Sequence, residues 1–303
     1  MINKRYRINP VIARRLNLKI NKTNRYRINK EKEAEYLSIV RPGTFAPKVL
    51  IFDIETYPML AYSFQKWNTN ISDDFIVQDW GILCWSAKWL FSEDIFNDKL
   101  TEAELIARDD KRISRSLWKL IDEADVIIAH NLVKFDLKKA NTKFLEYHLG
   151  RPSPYQTIDT LQHARKRFAI TSNRLDYIAK NFFKIEGKMQ TEKGLWMRCM
   201  NNEYKALEYM QIYCDQDVVV LEDVYLELRP WIQPHPNMAL LAVDVNNGCP
   251  ACGSESKEHT HTNYNTYVNS YTAFRCKGCG HIYRSRTTLT PISSKKGLKV
   301  SIP

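Results

Sequence analysis

Two short runs of apolar residues predict buried strands in the first half of the chain. Residues 48–56 are apolar and rich in β-branched side chains, and they follow a loop with Pro and Gly at residues 41–47. Residues 124–129 form the second run, which follows a stretch of apolar residues at helical spacing. Apart from its last residues, the first strand is apolar on both alternating faces. This pattern is typical of a central strand in a covered sheet.

A long helix is predicted between residues 207 and 228. Its apolar positions recur at helical spacing and are Leu207, Met210, Cys214, Leu221, Val224 and Leu228. Residues 229–236 contain several prolines, which cannot continue a helix, so we expect the helix to end there.

Two acidic residues lie at the carboxyl end of the first strand. Asp53 and Glu55 share one face because strand side chains alternate. Open α/β sheets bind ligands at the carboxyl ends of their strands, so this pair is a candidate metal site. A solvated acidic turn is the alternative.

The loop after the second strand, residues 130–136, supplies further candidates. Asp136 is a third carboxylate. Asn131 is either a turn former or a hydrogen-bond partner of a substrate. Phe135 is either a core residue or a residue that stacks on the substrate. We expect His130 to be structural.

The long helix carries a third set of candidates. Tyr213 and Asp217 are four residues apart and share one side of the helix. Asp215 lies roughly 200° round from Tyr213, at about 100° per residue, and is expected to be a solvated surface residue. The alternative for Tyr213 is an ordinary half-buried aromatic residue.

Four carboxylates and a phenol suit the hydrolysis of a phosphodiester. Two cations roughly 3.5–4 Å apart can hold the attacking and leaving oxygens, and Mg²⁺ or Mn²⁺ accepts oxygen ligands. We predict that Asp53 bridges the two ions. The ligands that complete the two sites are then Glu55, Asp136 and Asp217. Tyrosine has an ordinary pKa of about 10, which favours Tyr213 as an orienter of the attacking water over a full base.

In this order, the three motifs resemble those of the DEDD superfamily of exonucleases. They read Asp53-Ile-Glu-Thr, Asn131-x-x-x-Phe-Asp and Tyr213-Cys-x-x-Asp-Val. The third motif is that of the tyrosine branch, since the other large branch has histidine in place of Tyr213. The resemblance covers roughly residues 48–232. The proteins that the chain resembles are the proofreading domains of family B DNA polymerases and stand-alone bacteriophage exonucleases.

The resemblance implies an α/β protein with a ribonuclease-H-like fold, a mixed sheet flanked by helices. It also implies a 3′–5′ exonuclease acting on nucleic acid, with single-stranded DNA favoured over RNA. An exoribonuclease or a structure-specific endonuclease on the same fold is one alternative. A catalytically inactive zinc-ribbon adaptor is another, although the presence of all four acids argues against it. Replication or repair proteins, unspecified, are candidate partners.

Two Cys-x-x-Cys-Gly motifs predict a zinc ribbon in the last quarter of the chain. Cys252 and Cys276 are separated by 23 residues, and the predicted ligands of one Zn²⁺ are Cys249, Cys252, Cys276 and Cys279. Four thiolates leave no open coordination position, so this zinc is expected to be structural. A pair of disulfides is the alternative. The spare candidate ligands are His259, His261 and His281.

Basic residues are concentrated at the two ends of the chain. Residues 1–47 carry a net charge of +9 and residues 248–303 carry +6, which leaves −4 for the middle of a chain of net charge +11. An acidic body between basic ends suggests that the ends bind nucleic acid while the body cleaves it. Candidate stacking residues in the first segment are Tyr6, Tyr26 and Tyr36. Candidate phosphate contacts in the body are Lys138, Lys139 and Lys188, although exposed lysines usually only solvate a surface.

These patterns divide the chain into five segments. We predict a basic arm or small helical module at residues 1–47, an exonuclease domain at 48–236, a linker at 237–247, the zinc ribbon at 248–286 and a basic tail at 287–303. No apolar run approaches the roughly 18 residues of a membrane span, so no membrane partner is expected. The chain shows no signal-peptide pattern, and its remaining cysteines are scattered in apolar context. We therefore expect a cytoplasmic location, that of the host if the protein is phage-encoded.

Overall fold

The computed structural model describes residues 47–67, 70–185, 192, 194–241, 248–295 and 297–300, and the backbone of β1 (Arg5–Tyr6) and β2 (Tyr26–Arg27). The chain divides into two compact units, Lys48–Tyr225 and a second unit of Leu226–Pro303 with Met1–Pro47. Several predictions lie outside the described residues. They are those for the rest of the amino-terminal arm, for the side chains of Tyr6, Tyr26, Tyr36 and Lys188, and for residues 242–247 of the linker.

A five-stranded mixed sheet forms the centre of the unit Lys48–Tyr225. The strands of this unit are β3 (Val49–Tyr57), β4 (Leu60–Ala61), β5 (Ile76–Gln78), β6 (Gly81–Trp89), β7 (Phe96–Lys99), β8 (Val126–Ala129) and β9 (Gln156–Asp159). The order in the sheet is β7–β6–β3–β8–β9. Because β3 pairs antiparallel with β6 and parallel with β8, it occupies the central position that its apolar faces predict.

Seven helices are described in this unit. They are α1 (Glu102–Ala107), α2 (Lys111–Asp122), α3 (Asp136–Glu146), α4 (Thr160–Arg167), α5 (Leu175–Tyr177), α6 (Leu195–Met200) and α7 (Tyr204–Leu228). A π-helical turn, Ile178–Phe182, continues α5. The predicted long helix is therefore present as α7. A mixed sheet flanked by helices is the architecture expected from the sequence, and this prediction is confirmed.

Local sequence explains where the helices before β8 begin and which face they bury. Thr101 and Glu104 form a capping box at the start of α1, in which each side chain accepts a hydrogen bond from the other residue's amide. On α2, Ile113, Leu117 and Ile121 are fully buried and follow the four-residue spacing of one helical face.

A short hairpin separates β3 from β6 along the chain. β4 pairs antiparallel with β5, and a 3₁₀ turn, Asp73–Phe75, precedes β5. The hairpin region exposes large apolar side chains, among them Tyr62, Phe64 and Trp67. Its apolar residues have no regular period in the sequence, and it was not predicted.

The second unit contains a small antiparallel sheet. Its elements are α8 (Met238–Leu241), β10 (Lys257–His259), β11 (Tyr264–Asn265), β12 (Ser270–Cys276), β13 (Ile282–Thr288) and α9 (Ile292–Lys295). β12 pairs with each of the other three strands. Within the described ranges, no helix of either unit has the length and apolar character needed to cross a membrane.

Candidate active site and zinc centre

The carboxylates of Asp53, Glu55 and Asp217 form one cluster. Each offers an oxygen atom, and these atoms all lie within 4.8 Å of one another. Asp53 and Glu55 project from the same face near the end of β3, and Asp217 comes from α7. Asp217 is buried, whereas the other two are half-buried. The fold therefore brings the first and third acidic motifs together.

Asp136, the fourth predicted ligand, lies beside this cluster but is not a member of it. It begins α3 and is 1% exposed. Its Oδ1 accepts a hydrogen bond from the amide of Ile54 at 3.4 Å, which places it against the strand that carries Asp53. Burial, and then the negative charge of Asp53, raise the pKa of Asp136 well above its usual value. Two acids in this arrangement are stabilised by a cation between them.

Tyr213 lies one helical turn before Asp217 on α7 and is half-buried. The pKa of its phenol is raised, first by burial and then by the negative charges of Asp217 and Glu55. A hydrogen bond between the Tyr213 and Asp217 side chains adds to this effect. The phenol is therefore a neutral hydroxyl at the edge of the carboxylate cluster.

Asp215 corrects one prediction, because it is not a solvated surface residue. It is half-buried and accepts hydrogen bonds from Ser86 Oγ at 2.6 Å and from Gln211 Nε2 at 3.0 Å. Asn97 Nδ2 donates to both of its carboxylate oxygens, at 3.0 and 2.9 Å. Asp215 therefore joins α7 to β6 and β7. The angle round the helix showed that Asp215 points away from Tyr213, but it could not show that strands lie on that side.

A buried ion pair also positions α7. Lys88 of β6 and Glu222 of α7 are almost fully buried and contact each other through Nζ and Oε2. The other oxygen of Glu222 accepts the amide of Phe91 at 2.7 Å. A buried pair of this kind is costly to break, because either partner alone would be an uncompensated charge. The pair and the Asp215 network together fix the helix that presents Tyr213 and Asp217.

Cys214, an apolar position of the predicted helix, is a neighbour of the carboxylate cluster. Its Sγ lies 3.5 Å from Oδ2 of Asp53 and 3.5 Å from the carbonyl oxygen of Asp53. Burial is the main cause that raises the pKa of Cys214, followed by a hydrogen bond with Cys84. The thiol therefore stays protonated and is a weak donor to the Asp53 carboxylate.

The loop between β8 and α3 places the remaining predicted residues. Asn131 has a left-handed backbone with φ of 80°, a conformation that asparagine tolerates better than most residues, as a turn former does. Its amide donates to Oδ1 of Asp159 at 3.1 Å, and the amide of Val133 donates to Oδ2 at 3.2 Å. Asp159 also caps α4 by accepting the amide of Gln162. This organising role of Asp159 was missed, since it depends on the pairing of β8 with β9.

His130 and Phe135 flank the same loop. His130 contacts Thr160 Oγ1 at 2.9 Å and the carbonyl oxygen of Asn173 at 2.8 Å through its two ring nitrogens, so its structural role is confirmed. Phe135 precedes α3 and is half-buried, with its ring centroid 5.8 Å from Nζ of Lys139. It is therefore not one of the fully buried residues of the core.

The second unit holds a cluster of four cysteines. The Sγ atoms of Cys249, Cys252, Cys276 and Cys279 all lie within 4.8 Å of one another. The sulfurs of Cys249 and Cys279 are 3.7 Å apart, and those of Cys252 and Cys276 are 3.6 Å apart. A disulfide would need about 2.05 Å, and all four thiols are free. Four convergent cysteine sulfurs are the donor set of a structural zinc site.

The glycine after each cysteine pair has the backbone conformation of a tight turn. Gly253 and Gly280 have φ of 75° and 79°, in the left-handed region that glycine adopts without a steric cost. Their amides donate to the carbonyl oxygens of Cys249 and Cys276 at 2.7 and 2.9 Å. None of the spare histidines belongs to the cysteine cluster of the described residues.

One comparison with known proteins bears on this site. A family model described as the RNase_H superfamily matches residues 89–229. The matched segment includes the motifs of Asp136 and Asp217 but begins after Asp53 and Glu55. No curated protein matches the chain.

Together, the match and the mixed sheet define a ribonuclease-H-like fold. They support a nuclease-type enzyme with a nucleic-acid substrate. Nucleases of this fold generally use divalent metals, and the carboxylate cluster fits such ions, because Mg²⁺ and Mn²⁺ take oxygen ligands.

Proposed function

We propose that this protein is a two-metal-dependent 3′–5′ exonuclease of the tyrosine branch of the DEDD superfamily, acting on single-stranded DNA. One observation carries the proposal, the approach of three carboxylates from two distant motifs to within 4.8 Å of one another. Like charges this close repel each other, and divalent cations would convert that repulsion into binding. The match to the RNase_H superfamily supports a nucleic-acid substrate.

The four acids divide into two proposed ligand sets that share Asp53. Glu55 and Asp217 lie with Asp53 in the cluster and would hold one ion. Asp136 faces Asp53 from the start of α3 and would hold the other ion with it. When bound, two such cations lower the pKa of an attacking water and stabilise the leaving oxygen of the phosphodiester.

Tyr213 is the proposed orienter of the attacking water. Its raised pKa keeps the hydroxyl protonated at neutral pH, so it does not act as a base. A phenol that donates its proton toward Asp217 keeps lone pairs on its oxygen, and these can accept a hydrogen bond from water. The water would then be held with a lone pair free for attack on phosphorus.

The cysteine cluster is proposed to hold one structural Zn²⁺. Its four sulfurs would supply the four ligands of a structural zinc site and leave no position for a substrate. The proposed division of labour is cleavage by residues 48–236 and metal-stabilised folding of residues 248–286.

End-labelled strands test the proposed polarity and substrate. With Mg²⁺, a 5′-labelled single-stranded DNA should give a ladder that shortens one nucleotide at a time, whereas a 3′-labelled strand should release labelled mononucleotide at once. A closed single-stranded circle should remain intact. Cleavage of the circle would reject an exonuclease in favour of an endonuclease, and faster shortening of RNA would reject the DNA preference.

Matched variants on one helix separate the site from general charge effects. Asp217→Asn should abolish Mg²⁺-dependent cleavage, because it removes a ligand charge from the cluster. Glu208→Gln removes an exposed carboxylate from the same helix and should leave the cleavage rate unchanged. Equal activity of both variants would refute the proposed site.

A further inference from the structure

A groove of about 450 Å³ opens on the surface of the unit Lys48–Tyr225. Its lining includes Thr56, Tyr57, Met59, Trp80, Lys139 and Trp196. The volume is within the roughly 300–1,000 Å³ of typical small-ligand sites. The lining is predominantly aromatic and apolar, with a single lysine.

Several residues that line the groove adjoin the proposed metal ligands in sequence. Thr56 and Tyr57 directly follow Glu55 on β3. Lys139 lies three residues after Asp136 on α3, a spacing that puts the two residues on neighbouring positions of one helical face. A chain bound at the proposed catalytic carboxylates could therefore continue into the groove.

Among the described residues, Lys139 differs from Lys143 in forming no ion pair with a carboxylate. Its Nζ lies 3.5 Å from the centroid of the Trp80 ring, and no carboxylate of the described residues forms an ion pair with it. Lys143 is also close to Trp80, at 4.9 Å, but it pairs with Asp110 at 3.5 Å and Glu146 at 2.9 Å. Burial lowers the pKa of Lys139, and the negative charge of Asp79 opposes this effect. The charge of Lys139 is therefore available to an anion.

The aromatic floor of the groove is held in place. The Tyr57 hydroxyl donates to the carbonyl oxygen of Arg108 at 3.1 Å, and the ring is 3% exposed. Gly81 makes this packing possible, since a Cβ there would lie 2.1 Å from the Tyr57 hydroxyl. The Trp80 and Trp196 side chains, by contrast, are half-buried. Lys139 lies over one face of the Trp80 ring, so a flat ligand would stack on the part of Trp80 that stays exposed and on Trp196.

We propose that this groove is a subsite for an unpaired nucleobase of a single strand, with Trp80 and Trp196 against the base and Lys139 on an adjoining phosphate. The inference rests on the proposed nuclease function, since it places the subsite on the path of the substrate. A base within a duplex has both faces covered by its neighbours, so only a single strand can present an exposed base face. Aromatic grooves also bind proline-rich peptides, but Lys139 and the cations proposed to bind at the adjoining carboxylates favour a polyanion.

Binding without cleavage tests this subsite. The affinity for a fluorescein-labelled single strand is measured by anisotropy in the Asp217→Asn variant. This variant is expected not to cleave the strand, so no chelator, which could also remove zinc, is needed. Trp80→Ala should weaken binding by roughly 5- to 150-fold, the effect expected for one base–aromatic stack. Trp80→Phe should recover most of that loss. Trp231→Ala, which removes an exposed tryptophan outside the groove, is the matched control.

Strands with a single abasic position identify the base that enters the groove. At one position, loss of the base should weaken binding to the protein that keeps Trp80. The factor should equal the effect of Trp80→Ala on the intact strand. That abasic strand should lose no further affinity when Trp80 is also replaced. Lys139→Met should reduce the slope of log affinity against log salt by about 0.7, the change expected when one phosphate contact to a single strand is lost.

The outcomes separate this inference from the proposed function. If Trp80→Ala and Lys139→Met fold and bind like the parent protein, the subsite is refuted, while cleavage by the wild-type protein still supports the nuclease. If no abasic position couples to Trp80 and a proline-rich peptide competes for the groove, the subsite is also refuted. If one abasic position couples to Trp80 but the wild-type protein cleaves no strand, the subsite is supported and the nuclease function is rejected. Circular dichroism spectra of each variant distinguish lost contacts from unfolding.

Discussion

The amide of Ile54 donates a hydrogen bond to Oδ1 of Asp136, across 82 residues of sequence. This contact ties the strand that carries Asp53 to the first residue of α3. It also holds a carboxylate that is 1% exposed next to a second carboxylate. Two separate acidic motifs are thus connected by one hydrogen bond from a backbone amide to a side-chain carboxylate.

Asp136→Asn should separate the two roles of this residue. Asparagine keeps an oxygen that accepts the Ile54 amide, so the free energy of unfolding should remain within about 1 kcal/mol of the wild type or increase. The increase would come from the removal of a buried negative charge beside Asp53. Cleavage should fall at least about a hundredfold, because a proposed metal ligand is lost and each 1.36 kcal/mol of barrier is a factor of ten. Urea denaturation and single-turnover cleavage measure the two effects.

Asp136→Ala provides the contrast to this variant. It removes the acceptor as well as the charge and leaves the Ile54 amide without a partner in the interior, which should destabilise the protein by about 1–3 kcal/mol. If Asp136→Asn cleaves at the wild-type rate, Asp136 is not a metal ligand.

Tyr213→Phe should slow cleavage without weakening metal binding. The variant keeps the aromatic ring and loses only the hydroxyl that is proposed to orient water. A decrease of about tenfold to a hundredfold is expected, at or below the low end of the 10²–10⁴ attributed to a positioned general acid or base. Calorimetric titration with Mn²⁺ should give an affinity close to that of the wild type, and an unchanged cleavage rate would remove the phenol from the mechanism.

The pH dependence of cleavage tests the protonation state of Tyr213. Since its pKa is raised above the usual value, the phenol is neutral in the folded protein at all pH values below that raised pKa. The Tyr213→Phe and wild-type rates should therefore keep a constant ratio between roughly pH 6 and 9, below the ordinary tyrosine pKa of about 10. A ratio that changes through this range would show that the hydroxyl ionises during the reaction.

Strong local patterns explain which parts of the molecule could be predicted. β3 and β8 are continuous apolar runs, and α7 repeats apolar residues over many turns, so each element depends on its own sequence. The acidic residues of the three motifs lie at the ends or on the faces of these elements, so their approximate positions could also be predicted. Strands and helices with such patterns form as the sequence predicts, because burial of an apolar face is the main driving force for their formation.

Features that depend on distant neighbours could not be predicted. Asp215 is fixed by Ser86 and Asn97, which belong to strands more than a hundred residues earlier in the chain. Lys139 was a candidate phosphate contact from the sequence, but no spacing in the sequence indicates its position over the Trp80 ring. Helical periodicity gives the direction of a side chain but not the residue that it meets.

Cys252→Ser should remove zinc from the second unit. The sulfur of Cys252 lies 3.6 Å from that of Cys276, and a serine hydroxyl is a poor replacement for a thiolate ligand. Elemental analysis should fall from about one zinc per chain to nearly none, and residues 248–286 should exchange amide hydrogens faster. Structural zinc sites contribute much of the folding free energy of small domains.

His261→Ala is the matched control for the zinc prediction. His261 is exposed and lies outside the cysteine cluster, so its loss should leave the zinc content unchanged. Full zinc content in Cys252→Ser, or loss of zinc in His261→Ala, would show that the ligand set is different.

Lys88→Met should destabilise the protein through the buried partner that it leaves behind. Glu222 would keep a charge in an environment where its side chain is fully buried, and removal of one member of such a pair costs about 3–5 kcal/mol. Glu222→Gln in the same chain should restore most of the loss, since it removes the charge and keeps an oxygen for the Phe91 amide. Urea denaturation of the single and double variants measures this recovery.

Because α7 also carries Tyr213 and Asp217, cleavage should fall in the single variant and recover in the double one. A double variant as unstable as Lys88→Met would show that the ion pair itself, rather than the unpaired charge, holds α7 against β6.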